Sequence, residues 1–253
     1  MSAMDTRPLW LVPLLALLAW PMMLASGSST ATWVTLTVAG LAMGMIIFVI
    51  ASGLTLVFGL MDVLNFGHGV FIALGAFVAT SVMAGLVDWT SAASLWPNVA
   101  AVFTAMAVAM AVAAVVGLAF ERFIVRPVYG QHLKQILITM GGMIMGEELI
   151  KVIWGPQQIP LPLPEGLRGA WLWGDAAVEK YRVLAVVVGL AVFGMLGYML
   201  NRTKIGLLIR AGVQDREMVE SLGYRIRRLF VGVFVAGSAL AGLGGVMWGL
   251  YQQ

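Results

Sequence analysis

Cysteine is absent from the 253 residues, and charge is scarce: fifteen basic and twelve acidic side chains make up 11% of the chain. The first absence excludes disulfides, iron–sulfur clusters and thiolate zinc sites. Only two histidines are present, His68 and His132, far apart in sequence, which argues against a multi-histidine metal centre. A soluble domain carries about 25% charged residues, so the surface that would hold this chain in water is missing. Also missing are a GxxxxGK[ST] phosphate loop, a GxGxxG turn, a GxSxG elbow and an HExxH helix. No site for ATP hydrolysis can be named, and no nucleophile and base pair that would make the chain an enzyme. If the chain moves a solute uphill, the energy enters through another subunit or an ion gradient.

What is there is oil. Hydrophobic residues make up 61% of the chain, and its mean hydropathy is +0.96. Apolar runs fall at roughly 9–25, 33–60, 69–87, 99–120, 136–153, 181–200 and 229–250. Each is near the twenty residues that cross a hydrocarbon core of about 30 Å, and lipid cannot solvate an open sheet edge. The expectation is an all-α, polytopic membrane protein with about seven transmembrane helices. The run at 9–25 is read as a retained helix in preference to a cleaved signal peptide, because Met23 is a poor residue three places before a cut at Ala25. The second run is about 42 Å long as a helix, so it tilts or breaks, and Gly40, Gly44, Gly53 and Gly59 offer the places. Gly40 and Gly44 form a small-xxx-small packing face. The last run, with Gly237, Gly242, Gly244, Gly245 and Gly249, is expected to be buried among other helices.

The few charges are clustered. Arg202, Lys204, Arg210, Arg216, Arg225, Arg227 and Arg228 lie in one segment between apolar runs, and Arg122, Arg126 and Lys134 in another. Basic loops stay in the cytoplasm, and the expected helix count puts both on the same side, with the N-terminus inside. The segment 154–181, with four prolines, Trp171 and Trp173, then lies outside and suits an interfacial belt or a docking surface.

Three polar stretches stand out. In MDVLNFGHGVF (61–71), Asp62, Asn65 and His68 recur every three residues, with Gly67 and Gly69 flanking the histidine. One reading is a surface turn. The other, preferred, is a broken helix near 61–69 re-entering the membrane, with Asn65, Gly67, His68 and Gly69 holding the turn or lining a solute path. Glu147 and Glu148 fall near the outer end of their run, within ion-pair reach of Lys151. The loop 201–228 carries a short amphipathic patch, with Val213, Glu217 and Glu220 alternating against Met218, Val219 and Leu222, before Gly223. Its mixed charge fits docking onto a protein better than onto lipid alone.

Three segments together carry a resemblance: GLTLVFGLMDVLNFGHGVFIALGAF, then ERFIVRPVYGQHLKQILITMGGMI, then TKIGLLIRAGVQDREMVESLGYRIRRLFVGVFVAGSALAGLGGVMWG. In this order they resemble the permease subunit of branched-chain amino-acid type ABC importers, over most of residues 53–250. The resemblance implies a single transmembrane permease domain over 1–253 in a bacterial inner membrane. It also implies a second homologous permease, two cytoplasmic ATPases and a periplasmic solute-binding protein, with no nucleic acid among the partners. ATP and magnesium would belong to the ATPases, and no cofactor to this chain. The resemblance further implies that 201–228 couples to the ATPases through Arg210, Asp215, Glu217, Glu220 and Gly223. Met218 and Val219 stand where the family usually has alanines. The run at 9–25 precedes the usual start, and the chain stops at Gln253 where the family continues, so a truncated chain is expected. The solute stays open among branched-chain amino acids, urea, short amides and aromatic acids. The rival reading is a gradient-driven transporter using Asp62, His68 and Glu147 or Glu148.

Overall fold

The computed structural model describes residues 7–25, 27, 29–61, 63–157 and 159–252. Ten α-helices follow in chain order: α1 (Arg7–Ala25), α2 (Thr30–Met61), α3 (His68–Ala84), α4 (Val87–Thr90), α5 (Leu95–Phe120), α6 (His132–Trp154), α7 (Lys180–Arg202), α8 (Lys204–Gln214), α9 (Arg216–Ser221) and α10 (Ile226–Tyr251). Every apolar run is a helix, as the need to satisfy backbone groups within one segment dictates. The protein is an all-α, multi-pass membrane protein. Among the described residues, four stretches are long and apolar enough to cross a membrane: Thr30–Gly59, Leu95–Val128, Lys180–Arg202 and Ile226–Tyr251. α3, at 17 residues, is about 25 Å long and shorter than the core. α6 carries Lys134, Glu147, Glu148 and Lys151.

α2 does not break. It runs unbroken for 32 residues, and of the glycines expected to weaken it, Gly40, Gly44 and Gly59 face open space while Gly53 packs. Among the described residues, a Cβ added at Gly40 or Gly44 would meet nothing within 4 Å.

α10 is the central post. Two thirds (67%) of its most apolar window is buried, against 28–33% in the other three candidate spans. Glycine makes this possible by removing the side chain at each crossing. A Cβ on Gly75 of α3 would run into the Gly242 backbone, and one on Gly245 into the Ile72 carbonyl. A Cβ on Gly53 of α2 would lie 2.5 Å from the Gly237 carbonyl oxygen, and one on Gly242 2.7 Å from the Ala113 side chain of α5. Around these crossings Phe71, Phe120 and Phe234 form an aromatic core with ring centroids 5.5–6.2 Å apart.

The hairpin is the departure from an all-helix reading. β1 (Ala170–Trp173) pairs antiparallel with β2 (Ala176–Glu179), Ala170 opposite Glu179 and Trp173 opposite Ala176. Gly174 supplies the left-handed turn residue with φ of 58°. The preceding segment is tied to the end of the bundle where α5 starts: the Asn98 side chain accepts from Gly166 N–H at 3.0 Å and donates to the Ala92 and Ser94 carbonyls.

The two basic segments lie at the opposite end. Tyr129, after α5, packs edge-on against Phe230 at the start of α10. Leu56 of α2, Met199 of α7, Ile205 and Ile209 of α8 and Arg228 line one small cleft of about 290 Å³ there. The expected co-location of the basic segments is therefore present in the fold.

Candidate functional site

The turn 63–67 sits within the bundle. α2 ends at Met61, residues 63–65 have no regular structure, and α3 starts at His68. Asn65 folds the turn on itself: its Oδ1 accepts from Gly67 N–H at 3.0 Å, an Asx turn that satisfies a buried donor. Gly67 is required for space, since a Cβ there would lie 2.6 Å from the Phe120 ring. Gly69, expected to share that role, faces open space: a Cβ added there would meet nothing within 4 Å among the described residues.

His68 fixes the depth of the turn. Its Nε2 lies 3.1 Å from the Ile50 carbonyl oxygen, a bond that places a proton on Nε2. Ile50 is about 16 Å back along α2 from Met61. The segment 63–67 therefore doubles back beside the last turns of α2, and α3 starts deep in the bundle. Asn65 and His68 are only 5% and 7% exposed, which a turn on the outer surface would not show. Asp62, the third polar residue of the stretch, lies outside the described residues.

A second layer, which the sequence reading did not single out, braces this turn. Thr139 of α6 accepts from Phe66 N–H at 3.3 Å, and its own hydroxyl lies 2.7 Å from the Gln135 carbonyl and 3.3 Å from that of Leu64. One turn earlier, the Gln135 amide donates to the Val128 carbonyl at 3.1 Å. Val128 closes an irregular exit from α5, in which a π-helical turn (Glu121–Val125) is followed by a 3-10 turn (Arg126–Val128). Glu121, 2% exposed, accepts from the Tyr129 hydroxyl at 2.6 Å. Gln135 and Thr139, four apart in an apolar run, were the readable signal: polar groups on one helical face need partners.

The basic segment 201–228 is a platform with exposed edges. Thr203 caps α8, its Oγ1 accepting from Gly206 N–H at 3.2 Å, and Asp215 caps α9 by accepting from Met218 N–H at 2.9 Å. Gly223 ends the segment with φ of 85°, the left-handed stop glycine permits. Ile209, Val219 and Ile226 bury themselves as its footing. The expected amphipathic patch is corrected in part: Val219 is buried, but Met218 and Leu222 are exposed, as are Val213, Leu207 and Tyr224. Arg210 reaches back to Asn201 Oδ1 at 3.3 Å, and Glu220 lies on the surface. The Glu217 side chain lies outside the described residues. The five residues expected to couple thus divide: Asp215 and Gly223 shape the platform, while Arg210 and Glu220 are presented by it.

Glu147 and Glu148 lie in the last third of α6. They stand about 10 Å short of the α6 terminus at Trp154. The ion pair with Lys151 is formed, Nζ to Glu148 Oε1 at 2.7 Å. No group of metal-binding side chains is assembled among the described residues.

Comparison with known proteins agrees with the three segments read above. The family described as "Branched-chain amino acid transport system / permease component" matches residues 36–253. The high-affinity branched-chain amino acid transport system permease protein LivH of Salmonella typhimurium is 28% identical over 218 residues, covering 84% of this chain and 69% of that protein. BraD of Pseudomonas aeruginosa, a permease protein of the same description, is 27% identical over 222 residues, covering 83% and 69%. LivM of Escherichia coli K12 is 29% identical over 274 residues, covering 97% of this chain and 58% of its own length. No solved structure matches. The turn at 63–68, the braced exit from α5 and the glycine-rich α10 all lie inside the matched residues, and the chain belongs to the permease-component family of branched-chain amino acid transport systems.

Proposed function

We propose that this chain is the membrane-spanning subunit of an ATP-driven importer for branched-chain or related amino acids, with separate ATPases docked on residues 201–228. The observation that carries this is the platform itself. α8 and α9 are anchored by Ile209, Val219 and Ile226 yet leave Leu207, Met218, Leu222 and Tyr224 exposed among Arg210 and Glu220. Apolar anchors inside a mixed-charge rim are the composition of a protein docking surface. Such a surface transmits work only if the partner contacts it differently in two conformations of the permease.

The basic end is then cytoplasmic, in a bacterial inner membrane, by the retention of Lys- and Arg-rich loops. The N-terminus falls on the same side. A second homologous permease completes the path, and a periplasmic binding protein delivers solute to the end that carries the hairpin. The solute assignment rests on what the relatives LivH and BraD are named for, branched-chain amino acid transport. The turn 63–67 is the proposed gate-proximal element: non-helical backbone at membrane depth is tolerated where it is held by protein or borders a cavity. The gradient-driven alternative has little to rest on among the described residues, since His68 is committed to Ile50 and Lys151 pairs with Glu148.

Reconstituted uptake tests the reading. Transport is expected only when the ATPases and ATP are present, and uptake by this subunit on a proton or sodium gradient would overturn it.

A further inference from the structure

Two clefts meet at Arg228, two residues into α10. One, of about 520 Å³, has Arg225, Arg227 and Arg228 in its walls, with Val231 on the inward side. The other is the cleft of about 290 Å³ between α2, α7, α8 and α10, which runs on along α10 past Leu229, Gly232, Val233 and Ala236. Arg228 belongs to both. Eight residues separate it from Ala236, so the second cleft reaches about 12 Å into a helix long and apolar enough to cross a membrane.

Charge decides what the first cleft can hold. Its three arginines are exposed, and among the described residues none of them forms an ion pair. Glu220 is the one carboxylate in its wall, so three arginines against one acid leave two positive charges in excess. The guanidinium fork matches the oxygens of a phosphate. The second cleft carries no charge besides Arg228 and offers hydrocarbon surface alone. Gly232 keeps it open, since a Cβ there would meet nothing within 4 Å. A free phosphate would leave this apolar cleft unused. An acidic side chain of a soluble protein could not follow it to membrane depth. Basic pockets between membrane helices on the cytoplasmic side take anionic lipid headgroups, whose tails are already at that depth.

We infer that the joined clefts bind one anionic phospholipid, with its phosphate on Arg225, Arg227 and Arg228 and an acyl chain laid along α10 beside Gly232. The inference goes beyond the importer reading and depends neither on the solute nor on ATP. It also gives the lipid a place in the fold. Ile205 and Ile209 of α8 line the same apolar cleft, so the acyl chain fastens the footing of the platform to α10.

The test is native mass spectrometry of the complex as it purifies from membranes, delipidated in detergent. It is titrated with palmitoyl-oleoyl phosphatidylglycerol, or with the phosphatidylcholine of the same chains. Phosphatidylglycerol is expected to bind at least about fivefold more tightly, the worth of one arginine at a membrane surface. Arg225→Gln and Arg228→Gln are each expected to cost it about fivefold, and Lys134→Gln, in the other basic segment, nothing. Gly232→Leu fills the apolar cleft from a position where added atoms meet no neighbour, and is expected to lower phosphatidylglycerol binding as well. Melting points without lipid are expected not to fall in any of these variants, so that the losses report the site and not the fold. Equal affinity for the two lipids, equal losses in Arg228→Gln and Lys134→Gln, or full binding in Gly232→Leu each overturns the inference. Displacement of the lipid by inorganic phosphate alone would make this a free-anion site and overturns it too. So does a complex in which bound cytoplasmic subunits abolish the lipid preference, which would give the arginines to a protein partner.

Discussion

Asn65, His68 and Thr139 hold the turn at 63–67 by different means, and their substitution costs should rank accordingly. Asn65→Leu strips the acceptor from the buried Gly67 N–H, and an orphaned buried donor costs about 1–3 kcal/mol. His68→Phe removes a bond to the Ile50 carbonyl, but that carbonyl lies within α2 and keeps its place in the helical ladder. The expected result is a larger fall in thermal stability in detergent for Asn65→Leu than for His68→Phe, with uptake reduced in the former. Equal losses would mean that the Asx turn does not set the geometry. Asn65 and His68 were legible in the sequence because polar side chains within an apolar setting must be satisfied. Thr139 and Gln135 were harder to read, because their partners lie at Leu64, Phe66 and Val128, and nothing local marks which distant backbone a hydroxyl will meet.

Among the elements, the helices were readable and their neighbours were not. Long apolar runs admit only helix in lipid, so all seven could be placed from hydropathy. The hairpin 170–179 escaped because AWLW and AAVE are four-residue strands, and β1 has no alternating burial. Glycine spacing likewise failed to say which face is used: Gly40 and Gly44 look like a packing motif yet meet nothing, whereas Gly245 and Gly75 meet backbone. Paired substitutions follow from that contrast. Gly245→Ala should destabilise the isolated chain by about 1–3 kcal/mol, because α10 must separate from the Ile72 carbonyl to admit a methyl group. Gly40→Ala, in open space within a helix, should be neutral or stabilising by up to about 1 kcal/mol. Thermal unfolding of the two variants in the same detergent checks both, and equal melting points would mean that the glycine crossings are not tight.

At the scale of the whole molecule, one end carries the basic segments and the other the hairpin and the proline-rich segment. This polarity was legible from charge placement alone. Leu222→Asp should weaken ATPase docking by at least about fivefold, what losing an apolar anchor of more than about 1 kcal/mol implies, and lower ATP-driven uptake, while membrane insertion is unchanged. Co-purification of the ATPases with the variant measures it, and undiminished recovery would remove the platform from the docking surface. The crossings of α10 carry a mechanical consequence. Where main chains touch without intervening side chains, there is no slack for one strut to glide past another, and close-packed interiors switch between discrete arrangements rather than deform smoothly. Helices α2, α3, α5 and α10 therefore travel as one stiff plank, and any alternation of access has to come from this plank rocking against whatever lies beside it.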